Sequence, residues 1–408
     1  MTVREHDFPR LRALRVPGRG RLRSYVDGHH AGPWTRDATV LTALTAALLV
    51  LGLVMSFSAS IVDAAENGDV FGIFRRQLGW ALLGIPAFLF VSSLHHRVWR
   101  RTSWFLLAGS LLLLAVVLTP VGVSRFGSAR WVGVGPLVVQ PSEVAKIATL
   151  LWLADVFARK REKGIDLHDL THLLVPAIPL LAVEAVLVLL EPDLGTTIIL
   201  GVIVALVLWI EGLPMRWFGI GGVLSTLAVA ALAFGASYRA ARIHGWLDPE
   251  KYADSAGFQL LQAKFAMADG GVFGLGLGAS RGKWNYIPNP ETDFIFAIIG
   301  EELGMVGAMF VLALFAGILV VGLRTARDAE DGFGRTVAFV ITGWIVGQAL
   351  INVGTVTGLL PITGVTLPLV SVGGSSLVST LVALGILVSI SRRAEPRGRI
   401  VGRAEARS

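Results

Sequence analysis

In the stretch Trp284–Gly304, WNYIPNPETDFIFAIIGEELG, a polar, proline-punctuated loop turns abruptly into an apolar helix, and Asp293 stands at the junction. A carboxylate there has two readings. As a cap, Thr292 or Asp293 would satisfy the free N–H groups of the helix that follows. As a general base, Asp293 would take a proton from a substrate held at the helix mouth. An ionisable group at the mouth of a membrane helix is costly without water or a partner, which makes it functional by default. Both roles are open to one carboxylate, and Glu291, Glu301 and Glu302 place further acid on either side of it.

A second group of charges lies upstream in RFGSARWVGVGPLVVQPSEVAKIATLLWL. Arg125 and Arg130 are followed by Trp131 and then by a helix start at Gln140-Pro141-Ser142-Glu143. Proline restrains that turn, Ser142 is placed to cap, and Glu143 suits the positive end of the helix dipole. Lys146, three residues on, shares a face with Glu143. The pair is either an intrahelical ion pair that lets a lysine live near the interface or part of an outward-facing cationic pocket for phosphate. For the second role, a planar arginine fork and a lysine point charge are the suitable types.

In the turn EPDLGTT, Glu191 and Asp193 either cap the next helix or hold the arginine and lysine in place. Ser375 and Ser376, in the last outer loop, either cap a helix or donate to a ligand, capping being the simpler role.

Other patterns carry less chemistry. Gly270–Ser280, GGVFGLGLGAS, has no strand before it, so close packing or a hinge is a better reading than a nucleotide cradle. Phe258–Lys264 reads as an amphipathic helix on the membrane surface. Ser142 and Lys146 are one residue too far apart for a Ser-x-x-Lys pair. His168 and His172 fall in a charged inner loop and read as a solvated face rather than a metal site. The chain has no cysteine, which excludes disulfides, thiolate metal sites and cysteine nucleophiles.

The elements that must position these residues are membrane helices. The 408-residue chain is 54% hydrophobic and 16% charged, against roughly a quarter charged for a soluble protein. Apolar runs of about twenty residues recur along it. They predict an all-α polytopic membrane protein of ten transmembrane helices, with one large extracytoplasmic loop, 236–292, between helices 7 and 8. The ten-span region covers 38–391. A disordered basic cytoplasmic tail, 1–37, precedes it, and a basic cytoplasmic tail, 392–408, follows. Lys and Arg concentrate in the inner loops, which places both termini in the cytoplasm. The net charge of +7 therefore reads as topology signal and anionic-lipid contact rather than nucleic-acid binding. The bias is broken in the outer loops after spans three and seven, where chemistry is to be sought. The last outer loop, 358–373, interrupts its helices with prolines and glycines, and such backbone survives at membrane depth only where it lines a cavity.

Four segments, ARWVGVGPLVVQPSEVAK, EPDLGTT, PETDFIFAIIGEELG and GLLPITGVTLPLVSVGGSS, together resemble the SEDS family of peptidoglycan glycosyltransferases over about Ala38–Arg393. GEELG and TGLLPITGVTLPLVS resemble the cell-division branch more than the elongation branch, and a sporulation paralogue would look similar. PNPETDF and VSVGGSS depart from the histidine and tyrosine common in relatives. The resemblance implies polymerisation of lipid II on the outer face of the bacterial cytoplasmic membrane, at the division septum, with Asp293 as the essential carboxylate. It carries the family's arginine–tryptophan pair onto Arg130 and Trp131 and its lysine onto Lys146. Glu143, Asp193, Lys264, Lys283, Thr292, Ser375 and Ser376 complete the expected substrate contacts. The implied partners are a class B penicillin-binding protein, other division proteins and membrane lipids. No cofactor is required by the pattern, although a divalent cation, Mg or Mn, bridging a carboxylate and the phosphates fits the chemistry. A lipid II flippase is the competing class; it would show charges along a path through several span centres. A structural scaffold for the division machinery is a third, weaker reading.

Overall fold

Twelve helices and three short strands make up the described part of the computed structural model, which covers residues 32–66, 69, 71–125, 128–134, 137–167, 169–234, 237–255, 257–282 and 290–394. Most of the two expected tails, together with Lys283 and His168, lies outside the described residues.

In chain order the helices are α1 (Arg36–Glu66), α2 (Gly72–Ser93), α3 (His96–Val117), α4 (Pro141–Glu162), α5 (Leu170–Leu190), α6 (Leu194–Ile210), α7 (Met215–Phe234), α8 (Ser237–Leu247), α9 (Phe258–Gly270), α10 (Ile295–Arg327), α11 (Gly332–Val356) and α12 (Gly374–Ser391). Capping sets several boundaries: Asp169 accepts from Thr171 N, Asp193 from Thr196 N and Asp331 from Gly334 N at the starts of α5, α6 and α11. Among the described residues, six helices, α1, α3, α5, α10, α11 and α12, are long and apolar enough to cross a membrane. The apolar α6 is shorter, and α2, α4 and α7 occupy the places of the remaining expected spans. The core sits where α12 packs along α2 and where α11 packs between α10 and α6.

Three features correct the expected all-α picture. The loop after α3 folds into an antiparallel sheet of β1 (Val123–Arg125), β2 (Ser128–Val134) and β3 (Leu137–Val139), in the order β1-β2-β3. Trp131 pairs with Val123, and Val132 pairs with Val139. The β-branched run SARWVGV suits a pleated surface better than a coil. Second, α9 is not merely laid on a surface: Leu260, Ala263, Ala266 and Gly270 are buried, and the helix packs on α10.

Third, α10 is broken at Gly304, whose φ of 66° and ψ of −166° are non-helical. The loop after α9 fills the break. Leu275 N and Gly276 N donate to the carbonyls of Glu301 and Glu302, and Met305 N and Val306 N donate to those of Gly271 and Val272. The glycine run thus serves close backbone packing. The Glu301 carboxylate accepts from Ser280 Oγ at 2.6 Å and Arg281 N at 2.7 Å, and Glu302 accepts from Ser58 Oγ at 2.7 Å. Both acids therefore secure structure around the break.

At the far end of α4, about 18 Å of helix rise from Glu143, Asp155 takes Arg100 and Arg159 at 3.0 and 2.9 Å. Nearby Glu211 pairs with Arg161 and accepts from Thr336 Oγ1. His95, His96 and Glu330 bring ligand-type atoms within 4.8 Å of one another. Yet His95 Nδ1 accepts from Arg97 N, and Arg97 pairs with Glu330 at 3.0 Å, so this cluster is already engaged by protein groups.

Candidate functional site

A cavity of about 470 Å³ opens where the start of α4, the start of α6, the turn before α10 and the irregular segment before α12 converge. Arg130, Trp131, Glu143, Lys146, Asp193, Thr292, Asp293, Ser375 and Ser376 all line it. Lys264 is exposed beside Gly358 and does not contribute to the lining. The wall also carries Arg76, Gln77 and Trp80 of α2, Gln140, Arg242 of α8, Glu291 and Gln348. Arg75 and Arg76 are adjacent at the start of an apolar run, and that pattern alone does not direct Arg76 to a site. Arg242 had a signal, since it lies in the cation-bearing loop 236–292.

Asp293 does not cap α10. The helix is capped by Phe294 with no side-chain hydrogen bond, while Asp293 Oδ1 accepts from the Thr292 hydroxyl at 3.1 Å. Its main chain is held firmly. Asn352 Nδ2 donates to Asp293 O at 2.7 Å and to Val365 O at 2.8 Å, and Val372 N donates to Glu291 O at 2.9 Å. The carboxylate is thereby fixed at the cavity wall. Burial pushes it above the ordinary aspartate range, against the opposing pull of its own N–H, the Thr292 hydroxyl and the charge of Arg242. A raised carboxyl in a cavity with cations is the arrangement expected of a proton acceptor.

The cations of the upstream motif are engaged. Lys146 Nζ meets Glu143 Oε1 at 2.8 Å and lies 5.0 Å from the centre of the Trp344 ring. Glu143 accepts a second bond from Ser379 Oγ at 2.6 Å. Arg130 donates from Nε to Glu191 O at 2.9 Å and from Nη2 to Pro192 O. The turn's carbonyls, rather than its carboxylates, hold the arginine. Asp193 caps α6 and accepts from Gln140 Nε2 at 2.9 Å.

Ser142 and the serine pair do not cap. The N-cap of α4 is Gln140 and that of α12 is Gly373. Ser142 Oγ is buried without a hydrogen-bond partner among the described residues. Ser375 Oγ instead accepts from Gln140 N and donates to Val138 O, which ties the sheet to α12. Gln348 Nε2 donates to Thr366 O at 3.0 Å, and Gln348 Oε1 accepts from Trp344 Nε1 at 2.9 Å. One face of α11, through Trp344, Gln348 and Asn352, therefore positions Lys146, the irregular segment and Asp293 together.

Both oxygens of Glu191 are buried without a hydrogen-bond partner among the described residues. Burial, then the charge of Asp193, pushes this carboxyl up to about 8 against the pull of Arg130. A carboxyl held protonated in the fold stabilises it fully below the unfolded value of 4.5, and that contribution falls as pH rises toward 8. Glu191→Gln keeps the shape and cannot ionise. It is expected to melt above wild type at about pH 8, with the gap closing toward about pH 5, in a thermal unfolding series. Identical pH dependence of the two proteins would show that Glu191 is ionised in the fold.

Residues 38–395 match the model of a family described as cell cycle protein, FtsW/RodA/SpoVE. The chain is 40% identical over 378 residues to the probable peptidoglycan glycosyltransferase FtsW of Mycobacterium tuberculosis, covering 92% of this chain and 71% of the relative. It is 39% identical over 361 residues to stage V sporulation protein E of Bacillus subtilis, covering 88% and 98%. Among solved structures, a chain of a peptidoglycan synthase complex that coordinates polymerization and crosslinking superposes with a TM-score of 0.71 at 28% identity, covering 87% of this chain and 98% of that one. The rod shape determining protein RodA of Thermus thermophilus does so with 0.65 at 28% identity, covering 87% and 97%.

Proposed function

Because the chain belongs to the FtsW/RodA/SpoVE family, the SEDS family, we propose that it is a peptidoglycan glycosyltransferase that polymerises lipid II at the outer face of the cytoplasmic membrane, in septal wall synthesis and with Asp293 as general base. The observation that carries this reading is the cavity itself, which gathers Asp293 with Arg130 and Lys146 from motifs far apart in the chain. Asp293 takes the proton of the acceptor sugar's 4-hydroxyl as that oxygen bonds to the donor's anomeric carbon. The bond from that carbon to the diphosphate breaks, and the lipid diphosphate leaves with the electron pair. The donor linkage is α and the glycan is β, so attack from the opposite face inverts the centre. Cations around the cavity stabilise the charge that develops on the leaving phosphates. A bound Mg²⁺ or Mn²⁺ would be held by Asp293 and would neutralise phosphate charge.

Ten spans with both termini cytoplasmic would place this cavity outside, where the lipid-linked sugars lie. A class B penicillin-binding protein is the expected partner, since the synthase complex that this chain resembles couples polymerization to crosslinking. The disposition of buried acids supports polymerisation over transport. Asp155 and Glu211 are ion-paired, Glu184 accepts from Thr149, Glu301 binds the loop and Glu302 accepts from Ser58 of α1, so these acids have structural partners rather than forming an open path. Vesicles carrying lipid II in a single leaflet test the two readings. The account expects the pool on the extracytoplasmic side to be consumed into strands while the other pool stays in place. Movement between leaflets without strand formation would favour the flippase.

A further inference from the structure

The four cavity cations differ in what they already hold. Arg130 and Lys146 are bound to protein carbonyls and to Glu143. Arg76 and Arg242 are exposed, line the same cavity, and make no hydrogen bond or ion pair among the described residues. Neither is loosely placed. Gln77, next to Arg76, donates to Ser371 O at 3.3 Å and accepts from Gly373 N at 3.2 Å, which fixes this face of α2 to the segment before α12. Arg242 is carried by α8, whose end is tied by Trp246 Nε1 to Gly358 O at 2.9 Å, and its charge acts on Asp293.

We propose that Arg76 and Arg242 form a two-sided clamp for the diphosphate of the lipid-linked substrate at the cavity mouth. The inference rests on the glycosyltransferase reading of this cavity. Guanidinium groups with no hydrogen bond or ion pair among the described residues offer their N–H donors in a planar fork suited to phosphate oxygens, and no ion pair among those residues has to be broken to use them. The engaged pair, Arg130 and Lys146, instead gives the cavity a fixed positive wall. A cavity of about 470 Å³ takes a group of small-ligand size. That is room for a diphosphate with its adjoining sugar, leaving the lipid chain and the peptide outside. Two arginines on separate elements also bracket a bridging anion, whereas one could only pair with it from the side.

Binding of inorganic pyrophosphate to the detergent-purified full-length chain tests the clamp by calorimetry. Wild type should bind pyrophosphate more tightly than orthophosphate. Arg76→Gln and Arg242→Gln should each weaken pyrophosphate binding at least tenfold at an unchanged melting temperature, and the lysine variants should recover only part of it. Asp293→Asn should bind pyrophosphate at least as tightly as wild type, because it removes a negative charge near Arg242. Wild-type binding by both glutamine variants would overturn the clamp, as would equal affinity for orthophosphate or no pyrophosphate binding by wild type. This readout needs no turnover. Active Asp293→Asn would therefore refute the base assignment while leaving the clamp to stand or fall on its own binding data.

Discussion

Asp293→Asn is expected to leave a folded protein whose rate of glycan strand synthesis from lipid II is lower by roughly a hundredfold or more. The substitution keeps the size of the side chain and its ability to accept from Thr292. It removes the capacity to hold a proton. A capping role would instead predict a loss of about 1 kcal/mol in stability with near-normal synthesis, but α10 is capped without this side chain. Asp293→Glu should also be impaired, because one methylene displaces the carboxylate within a wall fixed by Asn352 and Val372. The pH profile supplies a second signature. A base whose carboxyl is raised by burial must lose its proton before it can act. Turnover in wild type should therefore rise with pH along an acid limb lying above the ordinary aspartate range. Strand synthesis by purified Asp293→Asn, measured beside its melting temperature, checks the prediction. Robust synthesis would remove Asp293 from the chemistry.

Gly304→Ala is expected to be nearly as damaging by a different route. The backbone there lies in a region that only glycine occupies readily, at a cost of about 1–3 kcal/mol for other residues. An added Cβ would also sit 2.4 Å from Gly274 N and 2.5 Å from Val272 O, both backbone atoms that cannot swing away. Four loop-to-helix hydrogen bonds cross this point, and the loop leads through Glu301's partners toward the chain that carries Asp293. The variant should melt well below wild type, be cut by protease within 271–282, and lose strand synthesis although every cavity residue is present. Gly201→Ala, where an added Cβ meets nothing within 4 Å, is the silent comparison. A wild-type melting temperature for Gly304→Ala would mean that the break in α10 can be rebuilt at no cost.

How far the sequence could be read depended on whether a residue's role is local. Asp293 stood out because it sits where a polar loop meets an apolar helix. The segment 358–373 stood out because proline and glycine cannot continue a span. The capping of α6 by Asp193 is likewise a short-range event. The cavity's further arginines were harder. Arg76 belongs by pattern to the start of an apolar run, and only the packing of α2 against the segment before α12 turns it toward the site. The spacing of Glu143 and Lys146 gave both an ion pair and a phosphate pocket, and the ion pair is what forms, at the edge of the cavity. Glu301 and Glu302 illustrate the limit most clearly. Nothing in GEELG announces that the end of a glycine loop, 20 to 22 residues earlier, will bind these carboxylates and that the helix will break just beyond them, at Gly304. The small sheet was missed because short strands between apolar helices resemble any valine-rich loop.

The central claim, that this chain builds glycan strands at the cavity holding Asp293, is tested most directly by reconstitution in liposomes. The purified wild-type chain would be supplied with lipid II and a class B penicillin-binding protein whose crosslinking serine is blocked, with Asp293→Asn run in parallel. The account predicts a ladder of muramidase-sensitive strands from wild type and almost none from Asp293→Asn. No strands from wild type, or equal ladders from the two proteins, would contradict it.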